Sequence, residues 1–296
     1  MYMLCVPYKE LQKQGKAHCN ERLSSHTTFN VGGRTDLWIE PFNIECLSKI
    51  IDYSFLKHIP FKIIGSGSNV LCPDLRYKGI VISLKKEAFC SFNINNKTVR
   101  AGAGLLLSRF IQMCQKNSLS GLEKLYGIPG TIGGAITGNS GAFGSSISDC
   151  LLDVDILKDG RVKPTQRFQF FYRNSSLKNT IIISARFKMK SSKPQVIRQI
   201  MMDIHKKRID TQPIGEKSAG CIFKNTDGKS AGALLSLAGM KGVSIGGAAY
   251  SEKHANFIIN KKNACAKDII KLIELGKKTV KEKFNIKLQT EINIWG

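Results

Sequence analysis

No stretch of the chain approaches the roughly 18 consecutive apolar residues that a membrane span requires, so insertion into a bilayer is not expected. The opening residues MYMLCVPYKELQKQ hold only a brief apolar patch and no small-residue cleavage site, so no signal peptide is expected either. Nine cysteines lie scattered without a single CxxC pair, and no HExxH spacing occurs, which excludes the common metal-binding patterns. An odd number of cysteines without a framework points to free thiols in a reducing compartment, and the cytoplasm fits best. Acidic residues are scarce: 22 against 45 basic ones, for a formal charge of +23. Yet no block of five consecutive basic residues exists, and basic positions do not interleave with aromatics as in RNA-binding sheets. No nucleic-acid partner is expected on those grounds. A Lys-rich surface and an anionic small-molecule substrate account for the charge more simply.

Repeats and low-complexity linkers are missing too, so boundaries must come from changes of pattern. At 296 residues, with 42% hydrophobic and 23% charged, the chain is long enough for two or three small domains. Region 1–84 alternates short apolar runs with turns, as in FKIIGSGSNVLC and KGIVISL. Region 85–208 continues with KTVRAGAG, LLDVDIL before the turn pair Asp159-Gly160, and TIIISARFKM. Helices are predicted at about 105–117 and over PQVIRQIMMDIHKKR, where Ile197, Ile200, Met201 and Ile204 share a face. Region 209–296 holds a helix from about Lys267, with Asp268 near its cap and a stripe of Ile269, Leu272, Ile273, Gly276, Val280 and Phe284. A last strand, LQTEINIW, places Glu291 opposite Thr290 and Ile292, and could return to the first region. The class is α+β.

Two familiar phosphate-binding fingerprints fail. GAGLLL and GSGSNV begin like a dinucleotide motif but lack its third glycine and its βαβ setting. FKNTDGKS ends like a P-loop, but Phe223 stands where the first glycine belongs. Three glycine-rich turns remain: GSGSN (65–69), RAGAG (100–104) and GIPGTIGG (127–134), with GNSGAFG close behind. Glycine tolerates positive φ and close approach, so together these turns suit a pyrophosphate, while each alone reads better as a tight hairpin.

Longer motifs carry a resemblance. HTTFNVGG (26–33), IIGSGSNVL (63–71) and GLEKLYGIPGTIGGAITGNSGAFG (121–144) resemble the FAD-binding half of the UDP-N-acetylenolpyruvoylglucosamine reductase family. YRNSSL (172–177), TQPIGEKSAGCIFKN (211–225) and AGMKGVSIGGAAYSEKHANFIIN (238–260) follow in that family's order. The resemblance implies a non-Rossmann FAD-binding fold of the vanillyl-alcohol-oxidase/p-cresol-methylhydroxylase type. That fold would comprise subdomains 1–84 and 85–208, followed by a substrate-binding C-terminal α+β domain, 209–296. It further implies non-covalent FAD, NADPH as hydride donor, and UDP-N-acetylglucosamine enolpyruvate as substrate, with no membrane insertion; a monomer is the favoured state.

The cofactor positions implied are Gly65, Ser66, Gly67, Ser68, Asn69, Gly102, Gly127, Ile128, Pro129, Gly130, Thr131, Gly133, Gly134, Asn139 and Gly141. Tyr172, Lys224, Asn225 and His254 match substrate-contact positions. Arg173 matches the cation that steadies the substrate carboxylate, as preorganised charge does. Glu291 matches a second acidic group near the developing enolate. The proton donor of the family is usually Ser within GSxFKN; here Cys221 stands in GCIFKN, and a thiol releases its proton far more readily than an alkyl hydroxyl. Outside the motif each has a bland reading: a surface Arg, a solvated strand Glu, a small buried Cys. Thr226 replaces the Pro that commonly follows Asn225, which leaves that loop undefined. Only 47 residues separate Arg173 from Cys221, too few for the clamping insertion of the longer subtype, so the shorter subtype is implied. The rivals are another FAD oxidoreductase of the same superfamily and, on charge alone, a nucleic-acid-binding protein.

Overall fold

Apolar runs bounded by turn residues become strands, and the 3.6-residue stripes become helices, in the computed structural model, which describes residues 8–226 and 228–295. The chain divides into two interleaved compact units: residues 8–20, 36–66 and 78–206, and residues 21–35, 67–77 and 207–295. Each has its own apolar core.

The first unit holds a sheet ordered Gly15–Arg22, Arg34–Pro41, Tyr77–Ser83, Phe61–Ile64, in which the last two strands run parallel. A five-stranded antiparallel sheet follows in the order Arg161–Thr165, Leu151–Lys158, Ile181–Lys188, Thr98–Gly102, Phe92–Asn95. Asp159 and Gly160, at φ 51° and 71°, close its Leu151–Arg161 hairpin, the left-handed pair that a two-residue Asp-Gly turn provides. Helix α1 (Ile44–Leu56) is not anticipated by a region read as strands and turns alone. Its cause is local: the Asn43 side chain accepts the Cys46 N–H at 2.9 Å, and Leu47, Ile50, Ile51 and Ser54 recur at helical spacing on the buried face. Asn43→Ala should destabilise the protein by about 1 kcal/mol, read from a denaturant midpoint at unchanged slope. Helix α2 (Leu107–Lys116) buries Leu107, Phe110, Ile111 and Cys114, and Phe110 packs on Phe187 at 5.0 Å between ring centres. A short helix α3 (Ile132–Thr137) sits inside the glycine-dense stretch, and α4 (Pro194–Thr211) follows that sheet.

Glu40, only 5% exposed, accepts the Trp38 indole N–H at 3.1 Å and pairs with Lys85 at 2.7 Å. Burial alone would raise its pKa, but the hydrogen bonds and the Lys85 and Lys86 charges outweigh it and lower the value. A carboxylate with a folded-state pKa below its unfolded one adds stability above the unfolded value and loses it as pH falls through the folded value. The stability gap between Glu40→Gln and the parent should therefore be widest near neutrality and shrink as pH drops below about 4. A gap that stays constant from pH 7 to pH 3 would show that the carboxylate charge contributes nothing.

The second unit is organised around α6 (Ala266–Phe284), whose Ile269, Leu272, Ile273, Gly276 and Val280 are buried as the stripe predicts. Two carboxylates hold its N-terminus. Asp74 accepts the N–H groups of Ala266 and Lys267 at 2.7 and 3.0 Å, and Asp268 accepts that of Cys265 at 3.2 Å. Gly276 has no side chain because Tyr250 Oη lies 2.2 Å from where a Cβ would stand; that hydroxyl donates to the Leu272 carbonyl at 3.0 Å. Helix α5 (Ala231–Leu237) and the sheet Ser244–Ile245, Ala248–Tyr250, Ile258–Asn260 complete the packing. The expected long terminal strand is broken. Only Asn293–Ile294 is regular, paired in parallel with Val70–Leu71, while residues 289–291 turn their backbone to 222–224.

Among the described residues Cys46, Cys72, Cys90, Cys114, Cys150, Cys221 and Cys265 form no disulfide. Cys19 is disulfide-bonded, which corrects the all-thiol expectation, and Cys5 lies outside the described residues. Among the described residues no helix is long and apolar enough to cross a membrane.

Candidate active site

Within the first unit the three glycine turns meet. A Cβ on Gly65 would stand 2.6 Å from Thr131 Oγ1, and one on Gly133 would stand 3.1 Å from the Ala103 Cβ. Gly133 N–H donates to the Ala103 carbonyl and Ile132 N–H to that of Leu105, both at 2.9 Å. Thr131 caps α3 by accepting the Gly134 N–H at 3.4 Å, and Ile128 N–H donates to Leu125 at 3.1 Å. These donors are therefore engaged within the fold, and Gly65 and Gly133 are explained first by close approach of the Thr131 and Ala103 side chains. Gly102 is buried too, and a Cβ there would meet the Phe89 carbonyl oxygen at 2.1 Å. Gly127 and Gly130 hold φ of 83° and 149°, conformations that favour glycine.

Asn139 is the exception that points to a ligand. Its Nδ2 donates to the Phe171 carbonyl at 3.1 Å, while its Oδ1 is buried without a hydrogen-bond partner. A native fold rarely leaves such an acceptor unpaired, so a cofactor that brings an N–H or O–H suits the position. The same corner receives Arg173. Strands Phe170–Phe171 and Asn174–Ser175 pair, leaving Tyr172 and Arg173 as the turn, with Arg173 at φ 53°. A left-handed non-glycine residue costs of order 1–3 kcal/mol and persists where surroundings impose it. Here Ser175 Oγ donates to the Thr137 carbonyl at 2.9 Å, tying the hairpin to α3. The Arg173 guanidinium lies 5.3 Å over the Tyr172 ring, and its Nη1 is 3.0 Å from where a Cβ on Gly141 would stand. A side chain at Gly141 would meet the Ser145 carbonyl oxygen first, at 2.7 Å, so glycine there serves the Gly141–Ser146 pairing as well as leaving room for the arginine. Tyr172 is exposed and Arg173 half-buried.

The second unit gathers the remaining candidates. Cys221 bridges Phe257, Phe223 bridges Thr290, and the Glu291 N–H donates to the Ile222 carbonyl at 2.8 Å. Cys221 and Glu291 are thereby fixed on neighbouring extended segments, each half-buried. Asn69 lies against the second of these, donating from Nδ2 to the Glu291 carbonyl at 3.3 Å and accepting the Asn293 N–H on its own carbonyl at 3.0 Å. Gly67 accepts the Thr28 N–H at 3.1 Å and sits where a Cβ would strike the His26 carbonyl. Lys224 is half-buried, with its N–H donated to the Gln289 carbonyl at 2.9 Å. Asn225 is spent differently, since its Oδ1 accepts the Ala231 N–H at the start of α5 at 3.0 Å. His254 accepts the Asn256 N–H on Nδ1 at 3.2 Å and packs edge-on to Phe257 at 4.9 Å; burial lowers its pKa and favours the neutral ring.

Residues 35–165 match the FAD binding domain family, and residues 212–295 match the family described as UDP-N-acetylenolpyruvoylglucosamine reductase, C-terminal domain. The UDP-N-acetylenolpyruvoylglucosamine reductase of Caldanaerobacter subterraneus is 38% identical over 97% of this chain and 96% of its own. That of Anoxybacillus flavithermus is 40% identical over 94% and 93%. This chain belongs to the UDP-N-acetylenolpyruvoylglucosamine reductase family. The crystal structure of the reductase (MurB) from Thermus caldophilus agrees in fold, with a TM-score of 0.82, 32% identity, and coverage of 96% of this chain and 99% of that one. Family membership makes the chain an FAD-dependent oxidoreductase with the α+β architecture of an FAD-binding portion followed by the reductase C-terminal domain.

Two site features escaped the sequence reading. One is the Ser175–Thr137 link that seats the Arg173 turn. The other is Asn256, a buried amide in the run ANFIIN whose only sequence signal is a polar residue among apolar ones.

Proposed function

We propose that this chain reduces UDP-N-acetylglucosamine enolpyruvate to UDP-N-acetylmuramate for peptidoglycan synthesis, with NADPH as hydride donor and FAD bound without a covalent link. The observation that carries this reading is kinship over nearly the full length, with both family segments present in order. Bound FAD would supply hydride-transfer chemistry between NADPH and the vinyl CH2 of the substrate. Gly65, Thr131 and Asn139 line the surface proposed to receive it, the last with its unpaired acceptor.

The remaining work falls to side chains. As hydride arrives, the double-bond electrons move toward the carboxylate, and Arg173 provides the counter-charge. The Cys221 thiol gives its proton to the carbon bearing that carboxylate, which balances one hydride and one proton across the double bond. Glu291 is placed near the developing enolate, to polarise it or to help manage protons there. Tyr172, Lys224, Asn225 and His254 are assigned to the substrate's surroundings, and the enzyme works as a cytoplasmic monomer. Purified protein should absorb like a flavoprotein and release FAD into the filtrate on denaturation. It should oxidise NADPH steadily only when the enolpyruvyl sugar nucleotide is added. A flavin that stays with the denatured chain would favour the superfamily rival, and a folded protein that cannot rebind FAD would defeat the reading.

A further inference from the structure

Asn256 is 2% exposed, and its side chain makes both an accepted and a donated hydrogen bond to one residue of the neighbouring segment. Its Oδ1 accepts the Phe223 N–H at 2.9 Å, and its Nδ2 donates to the Phe223 carbonyl at 2.8 Å. The amide thus imitates a peptide group and pairs with Phe223 as an adjoining strand would. Its own backbone joins in, with the Asn256 carbonyl accepting the Ile222 N–H at 2.8 Å. Three hydrogen bonds from one residue fix Ile222 and Phe223. Those two residues carry the neighbours of interest: Cys221 precedes them and bridges Phe257, and Ile222 receives the Glu291 N–H. Asn256 is in turn oriented by His254, whose Nδ1 accepts its N–H at 3.2 Å. Gly232 of α5 leaves room for that ring, since a Cβ there would stand 2.9 Å from His254 Cε1.

We infer that Asn256 is a positioning residue for proton delivery, setting through Phe223 the backbone register that aims the Cys221 thiol and holds Glu291 beside it. The inference rests on the assignment of Cys221 as proton donor. An amide suits the task because no other side chain of its size offers an acceptor and a donor in one plane. Aspartate in its place keeps the shape and the acceptor but loses the donor, leaving the Phe223 carbonyl facing a carboxylate. A local shift of the strand follows, and displacements near 1 Å are able to cost about 10²-fold where geometry governs the reaction.

The test uses the FAD-loaded enzyme and separates its two half-reactions by stopped-flow absorbance. Asn256→Asp should bind FAD and be reduced by NADPH at close to the parent rate. Its reoxidation by the enolpyruvyl substrate should slow by at least about tenfold. Placed in a Cys221→Ala background, the same change should add little, because both substitutions disable one step. If the Asp variant fails to fold, Asn256→Ser, smaller but with a hydroxyl that donates and accepts, takes its place with the same expected split. A merely structural role would instead lower FAD content or slow both half-reactions together, and would add fully to Cys221→Ala; either result overturns the inference. The two readings fail separately. An unimpaired Cys221→Ala enzyme sinks the donor assignment, whereas an impaired one beside an unimpaired Asn256→Asp enzyme sinks the positioning role alone.

Discussion

Replacing Arg173 with alanine should slow substrate-driven reoxidation of the flavin by about 10²–10³-fold, the usual cost of removing one preorganised charge-stabilising donor. Reduction of the flavin by NADPH should change little, since no negative charge grows on the sugar nucleotide in that half of the cycle. Several observations favour a role in the reaction over a surface position. The residue sits at φ 53° in a two-residue turn where glycine or asparagine would be less strained. Its guanidinium is steadied over the Tyr172 ring at 5.3 Å, and the Ser175 hydroxyl anchors the hairpin to Thr137. Arg173→Lys separates charge from geometry. It keeps the cation but loses the planar fork, so it should recover only part of the rate. Parent-like reoxidation by Arg173→Ala at saturating and at low substrate would end the assignment.

Much of this was legible because local chemistry and tertiary demand agree. The Asp159-Gly160 hairpin, the α6 stripe and the strands at 61–64, 98–102 and 181–188 each follow from period or turn type alone. Helix α1 does not declare itself although Asn43 supplies its cap, because its apolar residues are dense enough to read as strand as easily as helix. The terminal strand was overextended for a different reason. LQTEINIW alternates well, but its partners are divided between residues 222–224 and Val70–Leu71, and pairing over long sequence separation leaves no mark in a local pattern. The glycine turns show the same limit at the site. Their convergence on Thr131 and Ala103 was not visible from spacing, and the N–H groups of Ile132, Gly133 and Gly134 turned out to be engaged in that convergence. Asn139 stands out in the motif, whereas its buried, unpartnered oxygen is a property of the tertiary structure alone.

The largest effect is expected at Cys221, where Cys221→Ala should leave reduction by NADPH near its parent rate and slow reoxidation by substrate about 10²–10⁴-fold, the range for losing a general acid. The asymmetry follows from the balance of the reaction: hydride reaches the flavin without a proton from this residue, whereas completing the C–H bond beside the carboxylate requires one. The fold supports such precision, since Cys221 bridges Phe257 and is followed by Ile222 and Phe223, whose backbone is held by Asn256 and Glu291. Cys221→Ser should retain appreciable activity, because a hydroxyl in the same place is able to relay a proton from solvent, though with weaker acidity. The pH dependence then discriminates between the two. A thiolate has no proton to give, so reoxidation in the parent should fall as pH rises through the thiol's ionisation. The serine variant should lack that descending limb, because its hydroxyl stays protonated throughout. Iodoacetamide should inactivate the parent, with substrate slowing the loss; the Cys221→Ser enzyme, which keeps the other free thiols, serves as the control for alkylation elsewhere. Equal slowing of both half-reactions by Cys221→Ala, or slowing of neither, would make the thiol a packing group and place the proton donor on another residue.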